Sequence, residues 1–218
     1  MAANARELGI RVRQVEDEIS GSGRTVGAAH AGCRSMCATS GGGGALMTEG
    51  VGAAAMMEVP IVVVNVQRAG PSTGVPTKTE QGDLWQVLGA SQGDFPKLIL
   101  APSNPLDAFQ TIPEVFNLAD KYQLPAIIVS DLLISDETST IDPKLLDMHP
   151  VIDRGELITE AGEEAGNYER YKFTDSGISP RALPGIPGYE HVVSTDEHMP
   201  DGVLISDEFT HPQKRREM

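Results

Sequence analysis

Cysteine is scarce: Cys33 and Cys37 are the only two, too few for a disulfide scaffold and not spaced as a CxxC pair. Such usage points to a reducing cytoplasm. Basic residues are also few, 17 Lys and Arg against 31 Asp and Glu, leaving a formal charge of −14. Phosphate binding needs a basic face to release counterions, so the balance argues against nucleic acid and anionic membranes, though not against a basic protein partner. Long apolar runs are missing too. The longest, Val59 to Val66, falls far short of the roughly 20 residues of a membrane span, and the start MAANARELG has no signal-peptide core. With 40% hydrophobic residues, a chain of this size buries roughly 70% of its unfolded surface and needs neither metal nor disulfide to hold together.

Charge divides the chain near Asp136. Residues 1–135 carry −4, whereas 136–218 carry −10 and are punctuated by Pro143, Pro150, Pro180, Pro184, Pro187, Pro200 and Pro212. The reading is an α/β domain over 1–135 and an irregular, acidic, proline-rich extension over 136–218. Strands are expected at Ile10–Val15, Cys33–Thr39, Val59–Gln67, Lys97–Ala101 and Ala126–Ile134. Helices are expected at Asp17–Ala31, Ala45–Met57, Thr79–Leu88 and Leu106–Tyr122. Strands joined through helices pair in parallel, which predicts a five-stranded parallel twisted sheet with helices on both faces. The apolar run Ile61, Val62, Val63, Val64 and Val66 places its strand at the centre. Ligands in such sheets bind beyond the carboxyl ends of the strands, which directs attention to the loops 14–20, 40–44, 67–81 and 133–138.

Several motifs fail on context. The string GASQG, Gly89 to Gly93, fits a nucleophile elbow with Ser91 as the serine, but it follows a helix and leads into a strand, the reverse of what an elbow requires. Gly21, Gly23 and Gly27 are spaced GxGxxxG, not as a dinucleotide fingerprint. Gly41–Gly44 follows a strand and could present backbone N–H groups to an anion, but no GK[ST] follows, and close packing at a helix start is the expected role. His30, His149, His191, His198 and His211 show no metal-ligand spacing, so no metal site is expected. Met47, Met56 and Met57 read as core fillers.

Two stretches carry chemistry. In VQRAGPSTGVPTKTEQGDL, Val66 to Leu84, Arg68 falls at the carboxyl end of the central strand in a loop rich in Gly, Pro, Ser and Thr. A guanidinium there either grips a carboxylate or phosphate, assisted by Ser72, Thr73 and Thr77, or caps the sheet. In QVEDEIS, Gln14 to Ser20, three acids open a helix, where complementing the helix dipole is the ordinary role. Glu16 and Glu18 point to different faces, so only one of them can serve a buried site.

These segments are familiar together. EDEIS, TSGGGGALMTEG, VVVNVQRAGPSTGVPTKTEQGDL and FPKLILAP, in order through Ile134, resemble the alpha subunit of 2-oxoacid:ferredoxin oxidoreductases, most of all the 2-oxoglutarate type. SDE and HPQKRREM near the end resemble the family's extension. The resemblance implies a thiamine diphosphate-binding fold in which this chain, as the pyrimidine domain, holds the aminopyrimidine ring. The beta subunit would hold the diphosphate, Mg²⁺ and a [4Fe–4S] cluster. Electrons then pass to ferredoxin, and coenzyme A collects the acyl group. Glu18 matches the glutamate that hydrogen-bonds the pyrimidine nitrogen and activates the coenzyme, with Ser40 and Gly41 as further cofactor contacts. Arg68 and Thr77 match positions that hold the substrate carboxylate. Lys78, Glu80, Gln81 and Asp83 are expected to support the site or a subunit interface.

The chain departs from the pattern at three points. The YPITPS-type segment that donates a threonine to the substrate is absent, TSGPG reads TSGGG with Gly42 in place of proline, and the sequence stops at RREM before the family's second domain. The expectation is a piece of a split or shortened subunit that still folds. The alternative is a non-catalytic alpha-like module that docks on a beta-type partner.

Overall fold

The structure is a computed structural model, and it describes residues 2–205. The segments near the end, SDE and HPQKRREM with His211 and Pro212, lie outside the described residues. Four strands, β1 (Met36–Ser40), β2 (Val62–Gln67), β3 (Leu98–Leu100) and β4 (Ala126–Asp131), form one parallel sheet in the order β1-β2-β4-β3. The central pair is registered Val62 on Ala126 through Gln67 on Asp131. As the apolar run predicts, β2 is central and almost wholly buried.

Helices cover both faces. On one, α1 (Glu18–His30), α3 (Thr48–Met56) and α4 (Leu84–Leu88) bury Val26, Ala29, Val51, Ala54 and Val87 against Ile61, Val63, Ile127 and Val129. On the other, α5 (Pro105–Tyr122) packs Val115 and Ala119 on Val62, Ala126 and Ile128. Alternation along β2 thus sends odd positions to one helical layer and even positions to the other.

The sheet has four strands rather than five. Ile10–Val15 has strand-like alternation, but Ile10 and Val12 are exposed and the segment joins no strand among the described residues. A pleated pattern supplies side chains for two faces but no ladder partner. The helix expected at Thr79–Leu88 is confined to Leu84–Leu88, because Gln81 and Asp83 are drawn into side-chain hydrogen bonds with distant strands. That expected at Ala45–Met57 begins earlier, as α2 (Gly42–Leu46), and is interrupted at Met47. The strand expected to run to Ile134 stops at Asp131, whose carboxylate caps α6 (Leu132–Asp136) by accepting from the Ile134 N–H at 2.9 Å.

The extension has little regular structure beyond a two-residue pairing of β5 (Leu157–Ile158) with β6 (Arg181–Ala182). It is nonetheless tied into the sheet domain by the buried Arg170 and Arg181 and the half-buried Arg154. Arg170, 1% exposed, donates to the Glu58 carbonyl and to Gln123 Oε1, both at 2.8 Å. Arg154 and Arg181 converge with Arg34 on the buried Asp120 of α5 at 2.8, 3.4 and 2.8 Å.

Candidate active-site cleft

Beyond the carboxyl ends of β1 and β2 lies a cleft of about 540 Å³, lined by Glu18, Gly41–Gly43, Arg68–Thr73, Asp83 and Gln86, with Ala45 and Leu46 at its edge. Its wall is the glycine run. Gly41 adopts φ 39°, a region that favours glycine, and the Arg68 side chain lies so close that a Cβ would sit 2.9 Å from its Cγ. At Gly43 a Cβ would overlap Thr39 Oγ1 and stand 2.6 Å from Glu18 Oε1. The run therefore exists to let two functional side chains approach the backbone from its two ends, with Glu18 at Gly43 and Arg68 at Gly41 and Gly42.

Glu18 is the first residue of α1, set there by Asp17, whose carboxylate accepts from the Ser20 N–H at 2.8 Å and its hydroxyl at 3.0 Å. Those bonds hold the Asp17 carboxyl below its ordinary range. Glu18 itself receives only a long contact from Thr39 Oγ1 at 3.5 Å, so its carboxylate retains acceptor capacity toward the cleft. Arg68 is half-buried, its Nε has no hydrogen-bond partner, and none of the ion pairs among the described residues involves it. An unpaired guanidinium in a concave site is a ready anion receptor.

Behind the cleft residue Asp83, β2 is polar in a way the valine run conceals. Asn65 and Gln67 point from β2 to the same face, and both hold Asp83. Asn65 Nδ2 donates to Asp83 Oδ2 at 3.0 Å, and the Asp83 N–H donates to Gln67 Oε1 at 3.1 Å. Asn65 Oδ1 is buried and without a partner. The sequence signal for Asn65 and Gln67 was present: two amides on the inner face of an otherwise apolar central strand.

The expected site residues do not all meet. Glu18, Gly41, Arg68 and Asp83 line the cleft, as do Ser72 and Thr73. Ser40 ends β1 beside them, half-buried and outside the lining. Thr77 is exposed with φ 62°, its hydroxyl donates to the Pro76 carbonyl at 2.6 Å, and it is not among the lining residues. Lys78 and Glu80 are likewise exposed and outside it. Gln81 donates to Asp131 Oδ2 at 2.7 Å, fastening the loop to the end of β4. That bond, followed by the Ile134 N–H, lowers the Asp131 carboxyl.

A thiamine-type ring fits this donor set. The side-chain-free wall gives flat contact area that any Cβ would fill, and Glu18 offers a carboxylate at its edge. Among the described residues no cluster of three or more His, Cys, Asp or Glu could hold a metal ion, and no helix is long and apolar enough to cross a membrane.

Residues 1–214 match the family described as pyruvate flavodoxin/ferredoxin oxidoreductase, thiamine diphosphate-binding. Relatives include 2-oxoacid:ferredoxin oxidoreductase 1, subunit alpha, of Sulfurisphaera tokodaii, 41% identical over 91% of this chain and 31% of its own length. The 2-oxoglutarate oxidoreductase subunit KorA of Mycobacterium tuberculosis is 39% identical over 82% of this chain and 27% of its own. Among solved structures, a 2-oxoglutarate:ferredoxin oxidoreductase from Magnetococcus marinus, with 2-oxoglutarate, coenzyme A and succinyl-CoA bound, superposes with a TM-score of 0.85. It is 36% identical, over 99% of this chain and 37% of that one. The chain thus spans about a third of the length of the curated relatives it matches.

Proposed function

The chain belongs to the pyruvate flavodoxin/ferredoxin oxidoreductase family, as a thiamine diphosphate-binding domain, and from that membership we propose that it is the pyrimidine-binding part of a 2-oxoacid:ferredoxin oxidoreductase alpha subunit. The reaction proposed is oxidative decarboxylation of a 2-oxoacid, 2-oxoglutarate first among candidates, to an acyl-CoA, CO₂ and reduced ferredoxin. One observation carries the reading: a carboxylate with free acceptor capacity and an unpaired guanidinium share a cleft, held apart by a wall of glycines.

Thiamine diphosphate, when bound, supplies the nucleophilic carbon and the electron sink for decarboxylation. Glu18 is suited to hold the proton on the pyrimidine ring nitrogen. Arg68 is suited to bind the substrate carboxylate, a charge-assisted contact worth roughly 1.5 to 3 kcal/mol. Gly41–Gly43 allow the ligand to lie against backbone. A beta subunit is proposed to hold the diphosphate, Mg²⁺ and the [4Fe–4S] cluster that passes electrons to ferredoxin. In support of a covering partner, Leu46 of the cleft and Leu84, Trp85 and Leu88 of α4, the helix that carries the cleft residue Gln86, are all exposed, Trp85 by 85%. Tryptophan so presented is the kind of side chain that anchors interfaces.

The test is oxoacid- and coenzyme A-dependent dye reduction by the chain assembled with its beta subunit. Glu18→Gln should lower turnover by about a hundredfold or more with the oxoacid Michaelis constant little changed, whereas Arg68→Ala should raise that constant by about tenfold or more. Parent-like activity in Glu18→Gln overturns the reading.

A further inference from the structure

Asp83 is the one carboxylate of the cleft to which the proposed reaction gives no task. It is 9% exposed and lines the cleft, and of its two carboxylate oxygens only Oδ2 is engaged within the chain, by Asn65. Its backbone is fixed by Gln67. Both anchors come from the rigid central strand, so the carboxylate is oriented before any ligand arrives. Maintaining that orientation leaves Asn65 Oδ1 buried and unsatisfied, since turning the amide over would set oxygen against oxygen. A fold that leaves a buried amide oxygen unpaired in order to aim a carboxylate is holding that carboxylate for a donor.

A carboxylate acceptor requires a donor, and the ligands proposed for this cleft differ in what they offer. A 2-oxoacid presents a carboxylate and a ketone, acceptors both, and a diphosphate is an anion. Asp83 repels all of these. An aminopyrimidine carries an exocyclic amino group with two N–H donors, while its ring nitrogen is the group assigned to Glu18. We infer that Asp83, positioned by Asn65 and Gln67, accepts a hydrogen bond from the exocyclic amino group of the bound aminopyrimidine. This rests on the coenzyme reading above. The same negative charge turns the acidic substrate away from that wall and toward Arg68, so one side chain sorts neutral ring from anion.

The test reads which donor the cleft demands. The chain assembled with its beta subunit is titrated with thiamine diphosphate and with its analogue bearing a ring carbonyl where the amino group stands, following the heat of binding. The wild-type complex should prefer thiamine diphosphate by about tenfold or more. Asp83→Asn, whose amide can donate to a carbonyl, should bring the two affinities to near equality or invert them. A purely structural Asp83 would weaken both ligands alike, and preference retained in Asp83→Asn overturns the inference. Should Asp83→Asn not fold, Asn65→Ala leaves the carboxylate in place but unaimed, and an undiminished preference there overturns it equally. No saturable binding of thiamine diphosphate by the wild-type complex overturns the coenzyme reading itself, and the Asp83 role with it.

Discussion

Glu18 and Arg68 approach the glycine run so closely that the backbone between them has become part of the site. At Gly43 a methyl group would overlap Thr39 Oγ1 and stand 2.6 Å from Glu18 Oε1. Overpacking of that kind costs about 1 to 3 kcal/mol where neighbours cannot yield. Here Glu18 can yield only by leaving its cleft position. Gly43→Ala is therefore expected to lose thiamine binding while the thermal transition falls by only a few degrees, as fluorescence titration and calorimetry would show. At Arg68 the decisive property is the planar fork, not charge alone. Arg68→Lys should keep part of the affinity for the oxoacid and Arg68→Ala less, and a wild-type Michaelis constant in Arg68→Lys would mean that the fork is not used.

Elements are held in place here by side chains reaching across long stretches of sequence, and this limits what a linear reading can see. The helical pattern at Thr79–Leu88 is real, yet Gln81 and Asp83 belong to strands β4 and β2 through hydrogen bonds spanning 50 and 18 residues. No periodicity encodes such a bond. The centrality of β2, the two helical layers, the Glu18 helix start and the Arg68 crevice were legible, because burial and chain direction follow from local pattern. The failed strand at Ile10–Val15 and the outward-facing Thr77 were not, since ladder partners and loop conformation are set from outside the segment. Asp131 shows how such ties respond to acid. Gln81 first, then the Ile134 N–H, holds its carboxyl low, so its stabilising contribution is complete above the unfolded value near 4 and is lost as pH falls through the lower folded one. Gln81→Ala should move acid unfolding to higher pH, measured by circular dichroism from pH 5 to 2.

At the scale of the whole molecule, the extension and the sheet domain are joined by charge buried in unequal numbers. Asp120, 3% exposed, is shared by Arg34, Arg154 and Arg181, and burial pushes the Arg181 guanidinium down to about 10 despite the carboxylate beside it. Removing that carboxylate leaves three cations with no counter-charge, a change worth about 3 to 5 kcal/mol in buried pairs. Asp120→Asn should accordingly destabilise the chain by that order in urea and expose 150–205 to protease. A second junction is pH-dependent. His30 of α1 meets His191 of the extension edge to face at 6.4 Å. Burial first, then His191, Arg181 and Arg170, lowers the His30 value below the ordinary 6.5. A base lowered on folding is neutral in the folded state, so its junction is intact above the unfolded value. Stability then declines as pH drops through about 6.5 toward the folded value. Arg181 and Arg170 beside it are cationic, so a proton on His30 meets repulsion. Amide exchange in 181–192 should therefore accelerate between pH 7 and 5.5 relative to β2, and His30→Asn should remove most of that dependence. An exchange rate in this segment that tracks β2 across the range would mean that the histidine pair does not govern the junction.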